Sequence, residues 1–230
     1  MLKGITWNWK LIVEIILFLS LLLSVIFIVT KMILAPSEVI KIDEHTEVKT
    51  DYVLMLLSCL AGLVIMMIPR FLEKKKEIDI PDAIEIIYFI FLFCAIYLGE
   101  VHNFYYLIPF WDTILHTFSG MMLGALGFIF VRFLNDTKFI HIHLTPFFVS
   151  FFAFCFAVTM GTLWEVYEFL VDGIFSTNMQ KFITADNTVL VGRDALHDTM
   201  MDLIVDAVSS FIICLIGYVQ LKKFKKNGFI

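Results

Sequence analysis

Charged residues are scarce in this chain. Asp, Glu, Lys and Arg make up 17% of its 230 residues, whereas hydrophobic residues make up 60% and include 25 phenylalanines. Ordinary soluble domains carry about 25% charged and about 45–50% apolar residues, so the composition excludes a soluble globule. The charges lie in short segments between long apolar runs, which is typical of a helical protein that crosses a membrane several times.

Three further features are absent. No basic patch is interleaved with aromatic residues, and this excludes nucleic acid as a partner. No succession of ten-residue segments with alternating polarity is present, so a transmembrane β-barrel is excluded as well. The four cysteines lie in four different apolar runs without the spacing of metal ligands, so neither a disulfide framework nor a cysteine metal site is expected. The sequence predicts an all-α, polytopic protein with a single integral membrane domain, 1–230.

Six apolar runs are long enough to cross a bilayer as helices. Their predicted limits are 11–34, 52–69, 82–99, 112–131, 146–171 and 198–219. The first run is too long for the apolar core of a cleaved signal peptide, and Pro36 directly follows the one plausible cleavage residue. We therefore predict that the first run is a retained span.

Lysine and arginine are divided unevenly among the segments that flank these spans. If the N-terminus lies in the cytoplasm, twelve of them fall on the cytoplasmic side and four fall outside, namely Lys41, Lys49, Lys181 and Arg193. Because positive residues favour the cytoplasmic side, we predict six transmembrane helices with both termini inside. The expected location is the bacterial cytoplasmic (inner) membrane, as a multi-pass protein.

Two acidic stripes lie beside or within apolar runs between Gly161 and Ser210. The first stripe has the spacing i, i+3, i+7 and consists of Glu165, Glu168 and Asp172. The second has i+4 steps and consists of Asp194, Asp198, Asp202 and Asp206. Such spacings place each set on one helix face. A carboxylate in the membrane costs about 2.5–3.5 kcal/mol on insertion scales, so these residues are candidates for function.

The position of each acidic residue along its helix decides whether helix capping can account for its presence. Asp112 and Asp198 lie at predicted helix N-termini, where they could equally serve only as caps. Glu165 lies near the C-terminal end of its helix, where the helix dipole disfavours negative charge, and Asp202 lies too deep to cap a helix. His116 follows Asp112 by four residues and belongs to the same end of the bundle.

So many carboxylates cannot remain ionised together in a low dielectric unless protons or a cation neutralise them. Oxygen ligands with one imidazole suit Mg²⁺, Mn²⁺ or Ca²⁺ better than Zn²⁺. The predicted ligands of a divalent metal ion are Asp112, His116, Glu165, Asp172, Asp198 and Asp202. Two alternatives remain open: a pathway for protons or monovalent ions, and a purely structural polar network.

Four stretches resemble a known group of proteins. They are WDTILHTFSG, AFCFAVTMGTLWEVYEFLVD, NMQKFIT and HDTMMDLIVDAVSS. They resemble the YjdF-like inner-membrane proteins, bacterial proteins with six helices, over roughly the C-terminal half of the chain, with a fainter similarity to VanZ-like proteins. The resemblance implies polar site residues at Asp112, His116, Glu165, Glu168, Asp172, Gln180, Lys181, Asp198 and Asp202. It implies no reaction, and Asp206 departs from its pattern.

The leading hypothesis is a metal-dependent hydrolase or transferase that acts at the outer leaflet on a membrane lipid or lipid-linked envelope precursor. The metal would activate water and polarise a phosphoryl or acyl group. Glu168 or His197 would act as general base, and Lys181, Gln180 and Arg193 would bind the substrate. A cation- or proton-coupled transporter is the alternative, disfavoured because the polar residues stop halfway across the membrane. A non-catalytic assembly partner is a third possibility, and the oligomeric state is not indicated.

Overall fold

The computed structural model describes residues 8–34, 48–74, 80–135 and 144–226. Their regular structure is helical, with a single isolated β-bridge between Ile183 and Val189. The helices are α1 Trp9–Leu34, α2 Lys49–Ile65, α3 Ile68–Lys74, α4 Asp82–Leu92, a π-helical segment Phe93–Val101, α5 Phe104–Leu107, α6 Trp111–Asn135, α7 Pro146–Phe175 and α8 Arg193–Lys226.

Six helical stretches in these ranges are long and apolar enough to cross a membrane, so the prediction of a six-helix membrane protein is confirmed. They are Trp9–Leu34, Lys49–Lys74, Asp82–Val101, Trp111–Asn135, Pro146–Phe175 and Arg193–Lys226. The second continues through a turn at Met66 and Met67 and past Pro69. Proline is tolerated there because it is the second residue of α3, where its missing N–H breaks no helical hydrogen bond.

The last two spans are longer than predicted. Helix α7 ends only where Ser176 adopts a left-handed conformation with φ 54°. Helix α8 begins directly after Gly192, which has φ 62°. The apolar pattern does not reveal these ends, because Asp172 and Gly173 interrupt it in α7 and the residues added to α8 are mostly charged or polar.

The inside–inside orientation stays a prediction. It depends partly on Lys3, Lys75, Lys76 and Lys138, which lie outside the described residues, as does Pro36.

The chain divides into two compact units, Met1–Pro109 and Phe110–Ile230. In the first unit, α1 packs against α2 and α4. Its core contains Leu17, Leu21 and Ile28 of α1, all almost fully buried, together with Cys59 and Phe89. The prediction of a single integral membrane domain stays a prediction.

Ion pairs of Lys10 and Arg70 also join the helices of the first unit. Lys10 of α1 donates to the buried carboxylate of Glu85 in α4. Arg70 of α3 donates to Glu14 of α1 at 2.9 Å. Glu14 and Glu85 are both buried, and each has a cationic partner within the unit. Lys10 also lies 3.6 Å from Glu73 and 3.3 Å from Asp82.

In the second unit, α6, α7 and α8 pack against one another in all three pairings. Glycines make the close approaches possible. A Cβ atom on Gly120 would lie 2.8 Å from the carbonyl oxygen of Asp206 in α8, and one on Gly127 would lie 2.7 Å from the Cα of Ala153 in α7. Small residues at such positions let membrane helices approach closely, and here they bring the polar faces of the three helices together.

Candidate functional site

Polar side chains of α6, α7 and α8 meet towards one end of the second unit, where α6 and α8 begin and α7 ends. His116 is five residues into α6. Glu165 lies ten residues before the end of α7, or about 15 Å along the helix axis. Asp202 lies nine residues into α8, or about 14 Å from its start. The three helices thus contribute buried polar groups to one region.

His116 is at the centre of this cluster and is 7% exposed. Its Nε2 atom lies 3.7 Å from Oδ1 of Asp112 and 3.7 Å from Oε1 of Glu165. Its Nδ1 atom lies 3.3 Å from Oδ2 of Asp206. One imidazole therefore contacts carboxylates from all three helices.

The cluster has the dimensions of a cation site. Among the described residues, Asp112, His116 and Asp202 each offer one ligand atom, and these atoms lie within 4.8 Å of one another. Two ligands of one ion can be at most about 4.2 Å apart for Mg²⁺ and about 5.2 Å apart for Ca²⁺, so a spread of up to 4.8 Å fits Ca²⁺ as it stands and Mg²⁺ after a small movement of the side chains. Three of the six predicted ligands thus lie close enough to share an ion. Glu165 is not one of these three, but its Oε1 atom lies 3.7 Å from Nε2 of His116.

The burial of the Glu165 carboxyl group is a second feature of this cluster. The residue is 4% exposed, and its Oε1 atom is buried without a hydrogen-bond partner. Buried carboxylate oxygens in folded proteins almost always accept hydrogen bonds, so a bare one indicates either a protonated carboxyl group or a site for a cation. The bare oxygen is also the atom that lies 3.7 Å from Nε2 of His116.

Three residues that sequence reasoning did not assign to the site hold His116 in place. Asp206 accepts from Nδ1 of His116, and Ser119 donates to the other oxygen of Asp206 at 3.1 Å. Gly161 leaves the space for this carboxylate, since a Cβ atom there would lie 2.5 Å from Oδ2 of Asp206. The i+4 stripe on α8 already contained the signal for Asp206, and Gly161 lies one turn before Glu165 on the same face.

The structure corrects the capping interpretation of Asp198. Because α8 begins at Arg193, Asp198 is in the second turn, beyond the reach of an N-cap. It is half-buried and lies within electrostatic range of Asp112, His116 and Lys181. Asp112 is in the first turn of α6, so stabilisation by the helix N-terminus remains open for it.

The two predicted general bases differ in position. Glu168 is half-buried, within electrostatic range of Glu165, Asp112 and Lys181. His197 is exposed and lies within range of Asp198. Glu168 is therefore the better placed of the two to exchange protons with the cluster.

The hydrogen bonds of Asp172 go to the loop that follows its own helix. Its Oδ1 atom accepts from Oγ1 of Thr177 at 2.7 Å and from the N–H of Met179 at 2.6 Å, and its Oδ2 atom accepts from the N–H of Gln180 at 2.9 Å. These bonds account for its burial at the end of α7 and fold the following loop back onto the helix. No distance from Asp172 to the other predicted ligands supports metal binding, and that role stays a prediction.

Hydrogen bonds order the loop 176–192 internally and attach it to α8. Nε2 of Gln180 donates to Oγ1 of Thr199 on α8 at 3.1 Å. The side chain of Asn178 exchanges hydrogen bonds with the backbone of Ile183, at 2.7 and 2.8 Å. Thr184 donates to Asp186, which lowers the pKa of that exposed carboxyl. The loop is ordered by its own bonds, and it places Lys181 near Glu168 and Asp198.

The substrate-binding residues predicted from the sequence fall in three settings. Lys181 lies in this loop with a positive φ of 54°. The side chain of Gln180 is engaged by Thr199. Arg193 is the exposed first residue of α8. Lys181 lies within electrostatic range of Glu168 and Asp198.

Replacing Asp172 by Asn is expected to loosen the loop. Hydrogen bonds to a charged acceptor contribute about 1.5–3 kcal/mol each, and the amide can accept with one oxygen only. Amide exchange of Met179 and Gln180 should accelerate about tenfold, corresponding to about 1.4 kcal/mol. Hydrogen exchange measured by mass spectrometry checks this, with Asp194→Asn, an exposed acid on α8, as the matched control. Unchanged exchange together with lost metal affinity would instead make Asp172 a ligand.

Comparison with known proteins identifies related chains. Residues 13–223 match the family described as "Predicted membrane protein (DUF2238)". An uncharacterized protein of Thermotoga maritima is 30% identical over 151 residues, which are 65% of this chain and 69% of that protein. No solved structure matches this chain. The family match spans all three helices of the polar cluster.

Proposed function

We propose, from the premise that the chain belongs to the DUF2238 family of predicted membrane proteins, that it binds a divalent cation between α6, α7 and α8. The cation would serve a metal-dependent hydrolysis or group transfer on a membrane lipid or lipid-linked substrate. The observation that carries this proposal is the bare, buried Oε1 atom of Glu165 beside His116.

The ligands that the geometry favours are Asp112, His116, Glu165 and Asp202. Three carboxylates and one imidazole from three helices match the preferences of Mg²⁺, Mn²⁺ and Ca²⁺ more closely than those of Zn²⁺, whose sites are richer in nitrogen and sulfur. Asp198, one turn before Asp202, would complete the set directly or through a water molecule.

The surroundings suit chemistry on an anionic group. A bound divalent cation would polarise a phosphoryl or acyl oxygen and favour ionisation of bound water. Glu168, which is half-buried and within electrostatic range of Glu165, would accept a proton, and the exposed His197 is the alternative. Lys181 would bind the anionic headgroup, and Arg193 would assist from the start of α8. The resemblance of this chain to YjdF-like proteins is part of the same proposal.

Transport of a cation or of protons is the second candidate, because buried polar residues of α8 continue past Asp202. Asp206, Ser209 and Ser210 are all buried on the same face. The next buried residue on this face is Cys214, and from there to Lys226 the helix carries no acid. The polar face therefore reaches part of the way along α8, which favours a site over a path.

The metal content of the purified protein tests the proposal. The native protein should retain about one or two Mg²⁺, Mn²⁺ or Ca²⁺ ions, whereas the Glu165→Gln, Asp202→Asn double variant should retain none, because two of the oxygen ligands are replaced by weaker ones. The Asp194→Asn variant removes an acidic charge at an exposed position of α8 and should retain the metal. Equal metal content in all three proteins contradicts the site.

A second measurement separates enzyme from transporter. The native protein is incorporated with Mg²⁺ into vesicles of phosphatidylethanolamine and phosphatidylglycerol, and ³¹P NMR follows the phospholipids. In a separate sample, Mn²⁺ is added outside vesicles that enclose a dye. New phosphorus signals that are absent with the double variant support lipid turnover. Quenching of an enclosed dye by entering Mn²⁺, without lipid turnover, supports transport instead.

A further inference from the structure

A largely apolar groove with two lysines in its lining lies towards the other end of the second unit, where α7 begins and α8 ends. It is lined by Thr145, Pro146, Phe147, Tyr218, Lys222 and Lys225. We infer that this groove binds the phosphate headgroup of an anionic phospholipid. The inference does not depend on the proposed function, because the groove shares no residue with the acidic cluster.

The charge in the groove comes from two sources. Lys222 and Lys225 are three residues apart and so lie on one face of α8, and the helix carries no acid from Phe211 to Lys226. The groove also contains the start of α7, a helix of 30 residues whose N-terminal dipole favours an anion. Neither the groove residues nor this part of α8 contains a carboxylate that would neutralise the lysines.

Contacts within the groove hold Lys222 and the first turn of α7 in place. The Nζ atom of Lys222 lies 5.8 Å from the ring centroid of Tyr218, a cation–π contact that holds the ammonium beside the groove. The hydroxyl of Thr145 accepts from the N–H of Phe148 at 3.2 Å and fixes the first turn of α7. The groove is therefore built by side chains with defined contacts on both helices.

An apolar surface adjoins the groove and favours a lipid over a soluble anion. The rings of Phe147 and Phe151 stack at 6.0 Å with an interplanar angle of 8°. They are 68% and 54% exposed and lie one turn apart on α7. A phospholipid would place its phosphate between the lysines and an acyl chain along these rings, whereas inorganic phosphate could use only the basic half. Lysines at the ends of membrane spans attract anionic lipids in the same way.

Native mass spectrometry of the full chain in detergent tests the inference with two probes, phosphatidylglycerol and phosphatidylcholine. The native protein should bind phosphatidylglycerol more tightly, and the Lys222→Gln, Lys225→Gln variant should lose about thirtyfold in this preference. The matched control is Lys223→Gln, Lys226→Gln, which removes the same charge from the same turns outside the groove. It should retain the preference.

Three outcomes would overturn the inference. They are no preference in the native protein, an equal loss in both lysine variants, and displacement of phosphatidylglycerol by millimolar inorganic phosphate. The second would mean that diffuse charge attracts the lipid, and the third that the groove takes a soluble anion. All four lysines are exposed, so the variants should keep the native circular dichroism spectrum and metal content. Failure of the metal experiments would leave the lipid result unaffected.

Discussion

Adding Mg²⁺, Mn²⁺ or Ca²⁺ to the metal-free protein in detergent is expected to raise its free energy of unfolding. The gain should be about 2.7 kcal/mol at a hundredfold excess over the dissociation constant. It arises because the folded protein gathers ligand atoms of Asp112, His116 and Asp202 within 4.8 Å, whereas the unfolded chain does not. Thermal unfolding with EDTA and with each metal, at two pH values, measures the effect.

Neutralising the acids should remove this metal response without weakening the metal-free protein. The Glu165→Gln, Asp202→Asn variant loses two ligands but also loses the repulsion between buried carboxylates. Its metal-free form should therefore be as stable as the native one, or more stable. The Asp194→Asn control should keep the full metal response, because Asp194 is exposed and outside the cluster.

Proton binding gives a different result. If protons neutralise the cluster, the folded protein binds more protons than the unfolded chain, so its stability rises as the pH falls, whatever metal is present. Acid stabilisation without a metal response in the native sequence would contradict the metal site and favour the proton-coupled function.

The six helices could be predicted because each apolar run is long enough to span a bilayer, and this signal is local in the sequence. Helix periodicity also predicted which acids share a face. Whether the faces of α6, α7 and α8 meet depends on close approaches at residues such as Gly120 and Gly161, whose partners are far away in the sequence. Spacing along one helix contains no information about those partners.

Asp172 and Asp206 show why the individual roles were harder to predict. Both belong to acidic stripes, yet Asp172 accepts bonds from its own loop and Asp206 accepts from His116. The backbone conformation of residues 176–180 decides the first case, and helix packing decides the second. The ion pair between Lys10 and Glu85 was not predicted for the same reason, since 75 residues separate its partners.

Replacing Asp206 by Asn is expected to weaken metal binding about 10- to 100-fold, although Asp206 need not touch the metal. A carboxylate only accepts hydrogen bonds, so the contact with Asp206 places a proton on Nδ1 of His116. The remaining nitrogen, Nε2, then presents its lone pair towards Asp112 and Glu165, each 3.7 Å away. Asp206 would thus orient the imidazole and raise its basicity as a ligand.

Isothermal titration of the metal-free protein with Mn²⁺ measures the loss of affinity, and ¹⁵N NMR of His116 reports its tautomer. In the native protein the Nδ1–H tautomer should dominate, whereas Asp206→Asn should show a mixture of tautomers because an amide both donates and accepts. Ser210→Ala is the matched control, since Ser210 lies on the same buried face of α8 and donates to the carbonyl of Ala207. If Asp206 has only a structural role, the Asp206→Asn substitution should lower the stability of the protein but leave the tautomer of His116 unchanged. Unaltered Mn²⁺ affinity in Asp206→Asn would show that His116 does not depend on Asp206 for its orientation.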